Sequence, residues 1–233
     1  MKFLDIDGPV ITFLTNVVDL FLLNLLCLIC CIPIVTAGAA ITAKYDVAMR
    51  MARKEAPTVF RPYFKAFRAN FKVSTKVWLV QLALILILAA DWYLQFRSVE
   101  SAMTGPVLRI LLIVVSVFIL FLNMTVYPLI ARYETGAINA VKSAMIFSLL
   151  NLLPLALTLA LIGFILYLCY LFFTNFFPII AVVGSVLVLY THTSFLVRAF
   201  DKYEKKRDPV VKEQNEEEAD QEERIFSDKP INQ

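Results

Sequence analysis

An all-α, polytopic transmembrane helical bundle of about five spans is the fold class this sequence predicts, with amphipathic cytoplasmic helices between spans one and two. Three observations lead there. Of 233 residues, 60% are hydrophobic and 18% charged, where soluble domains sit near about half and about a quarter. Mean hydropathy is +0.74. The charges are gathered into a few short segments, whereas a soluble helical protein needs them along every helix to solvate its outer faces.

A spanning helix needs about 20 apolar residues, so the spans are read from charge-free windows. One lies between Asp19 and Lys44, with apolar character from Val10 onward. Its preferred register runs over about 12 to 32 and ends at Pro33, which disfavours helix in the residue before it; the other register runs over about 20 to 41. Further windows lie between Lys76 and Asp91, extended through Trp92 to Phe96, and between Arg109 and Arg132. The window from Lys142 to Arg198 is long enough for two spans, joined at the turn-like cluster Thr174 to Pro178.

Between spans one and two, Thr36 is expected to N-cap a new helix over about 37 to 54, folding back or dipping along the interface until Pro57. Ile41, Tyr45, Ala48 and Ala52 share one face of it, and Lys44, Arg50, Arg53 and Lys54 occupy the rest. Then Phe60, Phe64, Phe67 and Phe71 recur at helical spacing, with Arg61, Lys65, Arg68 and Lys72 following one residue later. An aromatic stripe beside a basic one describes a helix lying at a membrane surface, with those four cations on anionic lipid or on a partner. It equally describes a helix packed on the protein's own bundle.

Orientation follows from Lys and Arg in short loops. The loop between spans one and two, the Arg132 to Lys142 loop and the Arg198 to Arg207 flank are basic; the opposite side carries Lys2, Arg97 and Arg109. N-terminus out and C-terminus in follows. Residues 1–207 are read as the transmembrane domain, and 208–233, with Glu216, Glu217 and Glu218 in an acidic block, as a solvated, disordered cytoplasmic tail. Met1 to Gly8 has one Lys against Asp5 and Asp7, so a cleaved signal peptide is not expected. Leu22–Leu26 and Leu149–Leu153 share Leu-Leu-Asn-Leu-Leu, each soon followed by Pro, a faint internal echo.

Chemistry has few candidates. Polar side chains within spans are the default functional residues, and Asn123, Asn151 and His192 fall at a similar depth. They serve either as interhelical hydrogen bonds or as a polar pocket. Asp19 sits near the outer end of span one. His192 is the single histidine, too few for a multi-histidine metal site. Cys27, Cys30, Cys31 and Cys169 lie in apolar runs and read as apolar filler. No phosphate loop, H-E-x-x-H or intramembrane carboxylate pair is present. No cofactor, nucleic-acid partner or enzymatic activity is expected.

Asn24, the break Pro33-x-x-Thr36-x-Gly38, and Phe67-x-x-Asn70-Phe71 together resemble the YesL family of bacterial integral membrane proteins, a domain of unknown function. The resemblance extends over about residues 10 to 200. Members are often encoded beside carbohydrate uptake systems of the ABC type, so it implies a bacterial cell-membrane protein accompanying a carbohydrate ABC permease or ATPase. It carries over no catalytic residues. Glu134-Thr-Gly-Ala137 and the later Leu153-Pro154 are similar to the ATPase-docking loop of ABC permeases, without its second Ala or Gly spacing. The competing function is a small transporter or channel with a pocket at Asn123, Asn151 and His192.

Overall fold

A computed structural model describes residues 9–53, 55, 58–97, 104–133, 136–171, 180 and 182–205. The described residues are helical with short connections. They form α1 (Pro9–Cys30), α2 (Ala37–Ala52), α3 (Phe60–Arg97), α4 (Thr104–Arg132), α5 (Ala137–Leu150), α6 (Leu152–Leu171) and α7 (Val182–Lys205). The chain divides into two compact units, residues 1–193 and 194–233. The described part of the second is helix, through Lys205. The acidic block and the Thr174 to Pro178 turn lie outside the described residues.

Four described helical stretches are long and apolar enough to cross a membrane: Phe60–Gln95, Pro106–Arg132, Leu152–Leu171 and Val182–Lys205. By length and composition the chain is therefore an integral membrane protein. The first span of the five expected is less clear-cut. α1 stops at Cys30, as the Pro33 register requires, and the apolar part Leu14–Cys30 is shorter than the other four.

The turn after α1 is built differently from expectation. Thr36 stands at the N-cap position of α2 but makes no side-chain cap. Its hydroxyl instead donates backward, to the carbonyls of Cys30 at 2.7 Å and Pro33 at 2.8 Å. A helix end leaves carbonyls without intrahelical partners, and Thr36 satisfies one of them in the turn of 3-10 helix Ile34–Thr36. α2 does fold back, but not along an interface. Ala37, Gly38, Ala39, Ala40, Thr42 and Ala43 are all buried, and the helix packs against α1, α3 and α4. Small side chains on most sides let three helices approach, and this outweighs the cations at its far end.

α3 runs unbroken for 38 residues, about 57 Å at the helical rise, against about 30 Å of bilayer hydrocarbon. No Gly or Pro interrupts it after Pro62. The stretch carrying the Phe and basic stripes is thus a continuation of span two, not a separate helix lying flat. Its packing face is also not the Phe stripe. Tyr63, Ala66, Ser74, Val77 and Gln81 are buried, while Phe60 and Phe64 are 53% and 48% exposed. Tyr63 enters the core with Leu20 and Leu23 of α1, Ala43 and Val47 of α2, and Val186 and Leu189 of α7. Phe67 packs on this cluster from its edge, stacked on Tyr63 at 6.4 Å between ring centroids.

The long window after Lys142 holds a break that the charge pattern does not reveal. α5 ends at Asn151, whose backbone at φ −123°, ψ 38° leaves the helix. Its N–H and its side-chain amide both donate to the Phe147 carbonyl, at 3.1 and 3.0 Å. Pro154 then falls in the first turn of α6, where a missing N–H costs nothing. Lys142, expected in a loop, lies within α5.

At Gly38 added volume would meet backbone, which cannot swing aside as a side chain can. A Cβ there would sit 2.6 Å from the Ser74 carbonyl oxygen and 2.6 Å from the Trp78 Cβ, whereas nothing lies within 4 Å of the same position at Gly163. Overpacking of this kind costs about 1–3 kcal/mol. Gly38→Leu should therefore lower the melting temperature in mild detergent or prevent a monodisperse peak, and Gly163→Ala should leave both unchanged. A Gly38→Leu protein that melts like the parent would show that α2 and α3 are not this close.

Candidate functional site

Interhelical polar contacts run along α3. Thr42 Oγ1 and Ser74 Oγ are 2.8 Å apart and buried, and Trp78 Nε1 donates to the Ile34 carbonyl at 2.7 Å. Further along, the Tyr127 hydroxyl of α4 donates to Gln81 Oε1, and Trp92 Nε1 reaches Ser116 Oγ at 3.3 Å. Between α4 and α5, Thr125 Oγ1 and Ser148 Oγ meet at 2.7 Å. The sequence signal for this face is the recurrence of Asn70, Ser74 and Gln81 at helical spacing, an uncharged polar row distinct from the basic stripe.

His192 is buried, its Nδ1 3.0 Å from the Tyr45 hydroxyl and its ring edge-on to that of Tyr45 at 5.4 Å. Its Nε2 has no hydrogen-bond partner among the described residues. Asn123 turns its amide back on its own helix, donating to the Ile119 carbonyl at 3.0 Å. Asn151 holds the end of α5. His192 thus serves the α2–α7 contact with Tyr45 as its partner, a pairing that spacing along the chain does not reveal. Among the described residues no group of three metal-ligating side chains converges. Cys27 and Cys31 have sulfurs 3.9 Å apart.

The residues of the Pro33 break and the α3 aromatic motif have structural work. Thr36 satisfies the end of α1, Gly38 admits α3, and Phe67 stacks on Tyr63. Phe71 lies against Phe67 at 5.6 Å between centroids, and the Asn70 amide donates to the Ala66 carbonyl at 3.2 Å. Asn24 is half-buried.

A cavity of about 820 Å³ opens beside the first turns of α3. Its polar lining is Asp46 and Arg50 of α2, Thr58, and Arg61, Lys65 and Asn70 of α3. Ala131 at the end of α4 and Gly136 before α5 complete the rim. Asp46 takes two bonds from Arg50, from Nε at 2.9 Å and Nη2 at 3.1 Å. Burial pushes the Asp46 carboxyl above its ordinary value, and Arg50, Arg53 and Lys65 pull against that. Arg61, Lys65, Arg68 and Lys72 are all exposed, but only the first two reach the cavity. Glu134 and Thr135 of the permease-like loop lie outside the described residues.

These contacts rank the polar residues. Interhelical bonds in membranes average about 0.6 kcal/mol and reach about 1.7. Thr125→Val, which removes the 2.7 Å bond to the buried Ser148 hydroxyl and leaves that hydroxyl only its longer bond to the Phe121 carbonyl at 3.4 Å, should lower stability by an amount in that range. Asn123→Leu should be near neutral, because its amide serves only its own helix. Thermal melts of the two variants in one detergent check the order, and the reverse order would refute it.

No curated protein matches the chain, and no solved structure does. Residues 20–92, which hold the end of α1, all of α2 and α3 as far as Trp92, match the model of a family described as a protein of unknown function, DUF624.

Proposed function

We propose that this protein is a non-enzymatic accessory component of a bacterial cell membrane, of the YesL kind, working with a carbohydrate uptake system of the ABC type. The protruding first half of α3 is its contact surface for the permease or ATPase. One observation carries the reading. The inner face of that segment is locked into the bundle through Tyr63 and Ala66, while Phe60 and Phe64, with Arg61, Lys65, Arg68 and Lys72 beside them, remain exposed. Large aromatics next to cations, held rigid with about half of each ring left exposed, are the composition of interface anchors. The YesL resemblance supplies the class of partner.

In this reading α1 is the fifth span. Its 22 residues measure about 33 Å and include Asp19 as their single charge. Five spans with the basic segments inside put the N-terminus out and the C-terminus in. Cysteine substitutions at Ala56 and Ala137 should accordingly resist a membrane-impermeant label in intact cells, and one at Ser98 should react. Labelling of Ala56 from outside would overturn the map.

The partner is tested by purifying the protein from its native host in mild detergent. A carbohydrate permease or ATPase should accompany it in stoichiometric amount. Phe60→Ala with Phe64→Ala should abolish that association and lower the melting temperature only slightly, since both rings are about half exposed and only Phe64 touches the core, edge-on to Tyr63 at 5.5 Å. A protein that purifies alone and moves a solute when reconstituted by itself would replace this reading with that of a transporter.

A further inference from the structure

We infer that the cavity beside the start of α3 is a binding site for a phosphate monoester carried on a small hydroxylated body. Its size is right for a small molecule: about 820 Å³, within the roughly 300–1,000 Å³ of ligand pockets. Its charge is right for a dianion. Arg50, Arg61 and Lys65 face a single carboxylate, Asp46, which leaves an excess of two positive charges, and a phosphate monoester carries about −1.5 to −2 at neutral pH.

The cations come from two helices and are not equivalent. Arg50 is clamped by its two bonds to Asp46, which orients the guanidinium and leaves Nη1 free of the pair. Arg61 and Lys65 are one turn apart on α3 and form no ion pair among the described residues. Asn70 commits its amide nitrogen to Ala66, so its carbonyl oxygen is the acceptor available to a ligand hydroxyl. Ala66, Ala69, Val73 and Ala131 form the neutral wall. A carboxylate ligand would leave one positive charge of this lining uncompensated, and a neutral sugar would leave both.

The phosphate has two sources of the same chemistry, a soluble ester or the headgroup of a phosphatidate lipid, and the experiment separates them. The full chain, purified in mild detergent, is titrated with glucose 6-phosphate, inorganic phosphate, dihexanoyl phosphatidic acid and, as the neutral control, glucose. Isothermal calorimetry and melting temperature are the readouts, because a ligand bound to the folded state alone raises stability with concentration.

Saturable binding of a phosphate compound, with a rising melting temperature and no response to glucose, is expected. Response to phosphatidic acid alone assigns the site to a lipid headgroup; response to the soluble ester assigns it to a metabolite; both support the inference. Arg61→Gln with Lys65→Gln should weaken binding about tenfold or more, the loss expected for charge-assisted hydrogen bonds. Arg68→Gln with Lys72→Gln removes the same charge outside the cavity and should leave the affinity unchanged. Absence of saturable binding by all three phosphate probes, or equal weakening by both double variants, would overturn the site. Neither result bears on copurification of a transport partner, which is read at Phe60 and Phe64.

Discussion

The close approach of α2 to α3 is the constraint on which the rest of the bundle depends. At Gly38 the two backbones leave no room for a side chain, and the neighbouring alanines extend that intimacy around α2. In lipid there is no hydrophobic drive to pull helices together, because the surrounding chains are as apolar as leucine. Association has to come from close packing of small residues and from hydrogen bonds that lipid cannot replace. α2 supplies both. Its small residues admit α1, α3 and α4, and Thr42 pairs with Ser74 where the approach is tightest.

From that wedge the other features follow. The Pro33 break and the backward bond of Thr36 return the chain so that α2 lies between its neighbours. Tyr63 and Val47 then meet α7 residues Val186 and Leu189 in one core, with His192 joined to Tyr45 beside it. Because α3 is fixed along α2 and continues without a break into its apolar half, its first turns are a rigid extension of that half. A rigid extension can hold cations at set distances, which a flexible basic loop cannot. The cavity and the exposed aromatic face both depend on that rigidity. The match of residues 20–92 to one family model covers this same region.

Two faces of α3 show how a sequence pattern misleads. The Phe residues at helical spacing form an apolar row in the first half of the helix, and an apolar row normally faces the core. Here Tyr63 and Ala66 occupy the core face, since the partner α2 is close enough to want small and polar-tipped groups rather than bulky rings. Tyr63 points its hydroxyl at the Ala40 carbonyl, 3.4 Å away, which a Phe could not do. In a membrane protein apolarity no longer distinguishes inside from outside, so the row that packs is the row that fits.

The sequence by itself determined the helical class, the membrane setting, the break at Pro33 and the apolar windows of α3, α4, α6 and α7. Each of these is set by local chemistry: hydropathy summed over a bilayer's thickness, the conformational limits of proline, and the exclusion of charge from hydrocarbon. The break at Asn151 leaves no mark in the charge pattern from which the spans are read; its signal is Pro154, which a helix interior disfavours and a first turn accepts. Only the tertiary structure decided that α2 is central rather than interfacial, that α3 is one long helix, and which of its faces packs. It alone brought Arg50 and Asp46 of α2 together with Arg61 and Lys65 of α3 around a cavity. Those are matters of which helix lies beside which, and spacing along one chain specifies the faces of a helix without naming their neighbours.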